Sequence, residues 1–196
     1  MQQHLETTSF FRTIGDAFVS FRSVAFHDDA QTLHRWMNEA HVYPFWHLNV
    51  PLESYEQHLQ RMLSDSHQQL WVGSVDSNEI SYFESYWVKG DVVENVYEAH
   101  PYDQGVHLLI GPPDALGRGH IYPLLFTMLK QQFRVVETEK IIAEPDIRNE
   151  KMIHVFEKCG FQPVKEVELP DKKALLMFCR RDTFERRWNE WNSMNV

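Results

Sequence analysis

The chain has 196 residues, enough for one domain with a sizeable core. A formal net charge of −9 argues against general nucleic-acid binding or an anionic membrane surface, and it suits a cationic small-molecule substrate as well as plain solubility. Cys159 and Cys179 lack the paired spacing of a disulfide framework or zinc site, and neither a leader nor an apolar run near ~18 residues is present, so a cytoplasmic protein with reduced thiols is expected.

Residues 1–17 carry no clear period and are expected to form an arm. Phe10, Phe11 and Ile14 would pack on the body, or on a second copy in a homodimer. Phe18 to Val24 alternates as a first strand. Asp28 and Asp29 then precede Ala30, Leu33, Trp36, Met37 and Ala40 at helical spacing, with the acids at the positive end of the dipole. The turn His41-Val42-Tyr43-Pro44-Phe45-Trp46 either lines a substrate pocket or plugs the core, since both take aromatics. Glu53 to Leu63 predicts a second helix. Leu70 to Val75 and Ile80 to Val88 predict two strands joined by the hairpin signal Asp76-Ser77-Asn78-Glu79. The second strand puts Tyr82, Glu84 and Tyr86 on one face, where the carboxylate either pairs with a substrate ammonium or simply faces solvent. Gly90 to Gln104 is a loop rich in acids and aromatics.

Gly105 to Ile121, GVHLLIGPPDALGRGHI, is the stretch with most to say about chemistry. Val106, Leu108 and Ile110 alternate with His107, Leu109 and Gly111, a buried strand carrying one titratable group. After a Pro-Pro turn, Gly117 and Gly119 precede Ile121, Leu124, Leu125, Met128 and Leu129 at helical spacing. Glycines at a helix start let backbone N–H groups approach an anion, and the helix dipole favours negative charge there, so a pyrophosphate would fit; an ordinary strand-turn-helix uses the same residues. Lys140 to Ala143 predicts a short strand ending in Glu144-Pro145-Asp146. Asn149 starts a helix that Gly160 stops, and Phe161 to Leu169 and Ala174 to Cys179 close the sheet. The division expected is an arm over 1–17, a domain over 18–182 and a helical tail over 183–196.

This order of elements resembles the Gcn5-related N-acetyltransferase (GNAT) superfamily over nearly the whole chain. Leu116 to His120, LGRGH, resembles its coenzyme A pyrophosphate loop, and Asn149 with Phe156-Glu157-Lys158-Cys159-Gly160-Phe161 resembles its later helix-and-strand motif. Leu33 to Trp46, Tyr82 to Trp87, Pro101 to Gly111, Glu144 to Asn149 and Leu169 to Asp182 together resemble the branch that makes siderophore hydroxamates for iron acquisition. The resemblance implies an α/β (α+β) single-domain fold with a mixed, mostly antiparallel twisted sheet flanked by helices. Splayed central strands would form the acyl-CoA cleft. It implies an acyltransferase using acetyl-CoA or another acyl-CoA and no metal. The acceptor would be a hydroxylamine or amine, most closely an N-hydroxylysine or N-hydroxydiamine. Two positions depart from the pattern: Asp114 stands where the phosphate loop usually begins with Gln or Arg, and Phe156 where many members carry a tyrosine acid.

Acyl transfer from a thioester needs a neutral nucleophile, a polarised carbonyl and a departing thiolate. A hydroxylamine is far less basic than an alkyl amine and arrives largely unprotonated, yet its attack releases a proton. A histidine of ordinary pKa is suited to collect it. His107 is the expected general base, against a core histidine bonded to a carbonyl. Asp146 is by resemblance the second catalytic residue, orienting the acceptor or holding His107; its rival use is a helix N-cap. Leu109 and Ile110 are expected to offer backbone N–H to the thioester. Gly117, Arg118, Gly119 and His120 would hold the pyrophosphate, and Asn149 the pantetheine arm. Trp46, Glu84 and Tyr86 are the acceptor-pocket candidates, and Lys172 could meet an acceptor carboxylate. His34, His41 and His47 match no zinc spacing. An aminoglycoside-type acetyltransferase and a non-catalytic acyl-CoA-binding module remain alternatives.

Overall fold

A computed structural model describes residues 7–194. Residues 1–6 of the expected arm and 195–196 of the expected tail lie outside the described residues. Eight strands form one sheet: β1 Ser9–Ile14, β2 Ala17–Ser23, β3 Gln68–Val75, β4 Asn78–Trp87, β5 Gln104–Ile110, β6 Lys140–Ala143, β7 Gln162–Glu168 and β8 Lys173–Arg180. Their order is β1-β2-β3-β4-β5-β6-β8-β7, and every neighbouring pair is antiparallel except β5 with β6. Among the described residues, six α-helices accompany them: α1 Phe26–Met37, α2 Tyr43–Trp46, α3 Leu52–Ser64, α4 Ile121–Gln132, α5 Glu150–Lys158 and α6 Arg181–Met194. Among the described residues, no helix is long and apolar enough to cross a membrane.

The alternation along β4 and β5 assigns the helices to faces. Tyr82 of β4 and Leu109 of β5 bury against Leu33, Trp36, Tyr55 and Leu59 of α1 and α3. Phe83 of β4 and Val106, Leu108 and Ile110 of β5 bury on the other face with Leu124, Leu125 and Met128 of α4. Phe184 of α6, fully buried, and the half-buried Trp188 and Trp191 pack against that second core.

Ser9–Ile14, expected within an arm, is one of the two edge strands of the sheet, which runs from β1 to β7. Phe10, Arg12 and Ile14 face inward while Phe11 faces out. Phe10 stacks on Phe21 at 4.9 Å, and the Arg12 guanidinium lies 5.3 Å from the Trp188 ring centroid. An inward arginine beside an outward phenylalanine inverts the polar alternation by which a strand is recognised.

The feature that positions the site is the brevity of the β5–β6 pairing. It comprises Gln104 with Ile141 and Gly105 with Ile142. Beyond Gly105 the strands separate, and among the described residues one edge of β5 has no strand partner over Val106–Ile110. A sheet edge inside a domain exposes a row of backbone donors and acceptors that a ligand can complete.

Candidate active site

Glu84 and His107 lie directly opposite in the β4–β5 register, so both side chains project from one face of the sheet. His107 Nδ1 donates to Glu84 Oε2 at 2.7 Å, and His107 Nε2 donates to Glu144 Oε1, which arrives from the end of β6 across the gap. The remaining oxygens are also engaged: Tyr82 Oη donates to Glu84 Oε1 at 2.8 Å, and Tyr86 Oη to Glu144 Oε2 at 3.0 Å. The result is a continuous run Tyr82–Glu84–His107–Glu144–Tyr86. The carboxylate side chains are 7 % and 4 % exposed, while the imidazole is 31 % exposed and opens to the cleft.

A carboxyl group faces each ring nitrogen, an arrangement that favours the imidazolium, in which both nitrogens donate. Burial opposes the charge, but the charge and hydrogen bond of Glu144, with those of Glu84, outweigh it and lift His107 to about 10. For Glu144, burial pushes upward and is outweighed by the charge and hydrogen bond of His107, helped by Lys172 and Tyr86, to about 2. Tyr82 and Tyr86 are held well above the usual phenol range by burial and by their carboxylates.

Gly105 makes room for this packing. A Cβ there would sit 2.0 Å from Tyr86 Cζ and 2.4 Å from its Oη. Gly105→Ala should therefore displace Tyr86 from Glu144 and lower stability by about 1–3 kcal/mol, read from the urea unfolding midpoint. An unchanged midpoint would mean that the Tyr86 ring has room to move.

The cleft in front of His107 has a volume of about 240 Å³, and its lining includes Trp46, His58, His107, Asp146, Asn149 and Lys172. Trp46 stands edge-on to His107 at 6.3 Å between ring centroids, carried there by α2, so the aromatic turn does line the cleft. Glu84 also lines it, but its oxygens are taken by His107 and Tyr82. Tyr86, expected in the acceptor pocket, is instead buried at 2 % exposure beneath the His107 ring, 4.9 Å away.

Three further expectations are corrected. Asp146 does not hold His107: its carboxylate accepts from Arg148 Nε at 2.9 Å and Arg148 Nη2 at 2.6 Å. Glu144, two residues earlier, takes that place. Nor is Asp146 the helix cap, since Asn149 Oδ1 accepts from Met152 N–H at 3.2 Å and caps α5 itself. The N–H of Leu109 does not face the cleft. Gly111 donates to Ile80 of β4 at 2.8 Å, so strand alternation points Leu109 toward β4 as well and turns Val106, Leu108 and Ile110 to the gap.

Gly117 and Gly119 have φ of +71° and +77°, a region that disfavours a side chain, and a Cβ at either would meet nothing within 4 Å. Among the described residues, the N–H groups of Gly117, Arg118, Gly119 and His120 donate to no protein acceptor, and α4 begins directly after them. Arg118 is exposed beside them. A loop with open N–H groups at the start of a 12-residue helix, next to an unpaired β5 edge, fits a diphosphate joined to an extended amide chain. Phe156 is buried at the rim of the cleft and offers no proton.

The acetyltransferase (GNAT) domain family matches residues 25–169. The chain belongs to the GNAT acetyltransferases. It is 31 % identical to the N-hydroxyputrescine acetyltransferase of Acinetobacter baumannii over 84 % of this chain and 79 % of that protein. It is 28 % identical to the N(6)-hydroxylysine O-acetyltransferase of Escherichia coli, over 85 % of this chain and 53 % of that one. Among solved structures, a protein from Bacillus halodurans superposes with a TM-score of 0.94 at 52 % identity, over 96 % and 98 % of the two chains. An aminoglycoside acetyltransferase AAC(6′)-Ib in complex with coenzyme A superposes with a TM-score of 0.77 at 28 % identity, over 86 % and 98 %. This GNAT domain is an acyl-CoA N-acyltransferase, with the sheet and helices expected of that fold.

Proposed function

We propose that this acyltransferase acylates the hydroxylamine nitrogen of an N-hydroxylated lysine or short diamine, giving a hydroxamate for siderophore assembly. The observation that carries the reading is the His107 cluster at the mouth of the β5–β6 gap, faced by Trp46. It sets a fixed charge and two carboxylates where thioester and acceptor would meet. Relatives bearing hydroxylamine-acylating names support it.

Transfer is direct. The acceptor nitrogen forms a C–N bond as the C–S bond of the thioester breaks. The N–H of the cationic adduct is far more acidic than that of the free acceptor, and its proton is drawn to the carboxylate–imidazolium cluster at the mouth of the cleft. The cluster returns that proton to the departing thiolate, whose ordinary pKa near 8.5 demands little assistance, so a phenylalanine at 156 is tolerated. The N–H groups of Leu108 and Ile110 facing the gap would bind the thioester side. Gly117, Arg118, Gly119 and His120 would bind the diphosphate, and the amide nitrogen of Asn149, which makes no hydrogen bond among the described residues, the pantetheine arm. Asp146 would orient the acceptor from the cleft wall.

The test is thiol release from acetyl-CoA with N6-hydroxylysine, N-hydroxyputrescine, N-hydroxycadaverine and kanamycin as acceptors. Release with a hydroxylamine, with a ferric-hydroxamate colour in the product, is expected. A folded sample that binds coenzyme A but acylates none of the three hydroxylamines would overturn the proposal. The superposition on AAC(6′)-Ib favours a second reading, acylation of an aminoglycoside, and faster turnover of kanamycin than of any hydroxylamine would decide for it.

A further inference from the structure

Lys172 sits in the turn between β7 and β8, a turn closed by the Leu169 N–H donating to the Lys172 carbonyl at 2.9 Å. Its side chain is 15 % exposed and lines the same cleft as His107. Its ammonium forms a long ion pair with Glu144, whose Oε1 lies 3.9 Å away, beyond hydrogen-bonding distance, and already accepts from His107. Among the described residues, the Lys172 ammonium makes no hydrogen bond.

Lys140 supplies an internal comparison. It is also 15 % exposed, yet its Nζ bonds Asp103 at 2.9 Å and lies over the rings of Tyr97 and Phe178 at 5.3 and 5.4 Å. A largely buried ammonium has three donors to satisfy, and leaving them without acceptors is costly. Lys140 meets that demand inside the protein. Lys172 leaves it open toward the cleft.

We infer that Lys172 binds a carboxylate carried by one of the two reactants, and thereby sets the substrate class within the hydroxylamine reading proposed above. Two sources present that chemistry: the α-carboxylate of an amino-acid acceptor, or the far carboxylate of a dicarboxylic acyl chain. The neighbouring Asp171, which lines the same cleft, favours the first. An acid beside a lysine matches the paired ammonium and carboxylate of an amino acid, a pattern absent from a bare diamine.

A matched pair of acceptors isolates the effect. N6-hydroxylysine and N-hydroxycadaverine share chain length and reacting nitrogen and differ in the α-carboxylate; acetyl-CoA and succinyl-CoA form the corresponding donor pair. If the acceptor supplies the carboxylate, the wild-type enzyme should favour N6-hydroxylysine by about ten- to hundredfold in kcat/KM, mostly through KM. Lys172→Met should collapse that ratio, and Lys172→Arg should keep most of it. If the acyl chain supplies the carboxylate, the succinyl-to-acetyl ratio should behave in this way instead. A wild-type enzyme indifferent to both carboxylates, or a Lys172→Met enzyme that retains the preference, would overturn the inference. The wild-type comparison remains decisive should the methionine variant not fold. Turnover of N-hydroxycadaverine would then leave the proposed function standing, whereas no thiol release with any hydroxylamine would remove that function first.

Discussion

Replacing His107 with glutamine should lower kcat/KM for acyl transfer by about 10²–10⁴-fold, measured as thiol release from acetyl-CoA with the best hydroxylamine acceptor. The substitution removes the one cation between Glu84 and Glu144, whose side chains are 7 % and 4 % exposed. Two buried carboxyl groups left without it repel one another when both are charged, which disfavours the cluster's geometry. The cluster then loses both its charge and the geometry that aims Glu144 at the cleft. A loss of less than about threefold would move the proton chemistry away from this cluster.

The pH profile of the wild-type enzyme separates two roles for the same residue. A neutral histidine acting as general base would make the rate climb through pH 6.5, the ordinary value for the side chain. A histidine already protonated, and held so to about 10, predicts no such rise; the rate should stay level from about pH 7 to 9 and fall as His107 loses its proton. An N-alkylhydroxylamine itself loses a proton in the range of a free histidine, so the profile is read against His107→Gln with the same acceptor, whose ionisation is common to both enzymes. A climb near 6.5 seen in the wild type and missing from the variant would restore the simple base.

What could be read without coordinates was whatever strand and helix periods encode. The alternation of Tyr82, Glu84 and Tyr86 and the place of His107 within an apolar alternation put these groups on two strands, while the pairing that sets Glu84 opposite His107 is information of the sheet register. The paired glycines before an apolar helix sufficed for the loop. The partner of His107 was not legible, because Glu144 reaches it across strands that share no hydrogen bond at that point, and no local period records such a gap. Nor does the sequence show that Arg148, two residues on from Asp146, engages the aspartate through its backbone N–H and its guanidinium. The direction of the Leu109 N–H was hidden for a different reason. Alternation fixes relative orientation along a strand, but the absolute sense depends on which neighbour the strand pairs with, and that became visible through the Gly111–Ile80 bond. Lys172 was visible as a turn lysine, but its poverty of partners is a property of packing that composition does not carry.

Glu144→Gln is the substitution that ties the stability of the site to its chemistry. The amide can still accept from Tyr86, but it gives His107 Nε2 no charged partner, and a hydrogen bond to a charged group is worth about 1.5–3 kcal/mol. That loss should appear in urea unfolding near pH 6, and turnover should fall with it because the cluster has lost a carboxylate charge and its hold on His107. The sign of the pH dependence follows from the two shifts. His107 is raised from 6.5 to about 10, so its contribution is complete below 6.5 and fades as pH climbs through 10. Glu144 is lowered from 4.5 to about 2, so its contribution is complete above 4.5 and fades as pH drops through 2. Wild type and variant should therefore differ most between about pH 4.5 and 6.5 and converge toward pH 10.5. A stability gap that stays constant from pH 6 to 10.5 would mean that Glu144 supports the cleft through packing and its bond to Tyr86. The cluster would then have to be rebuilt around Glu84 and His107 alone.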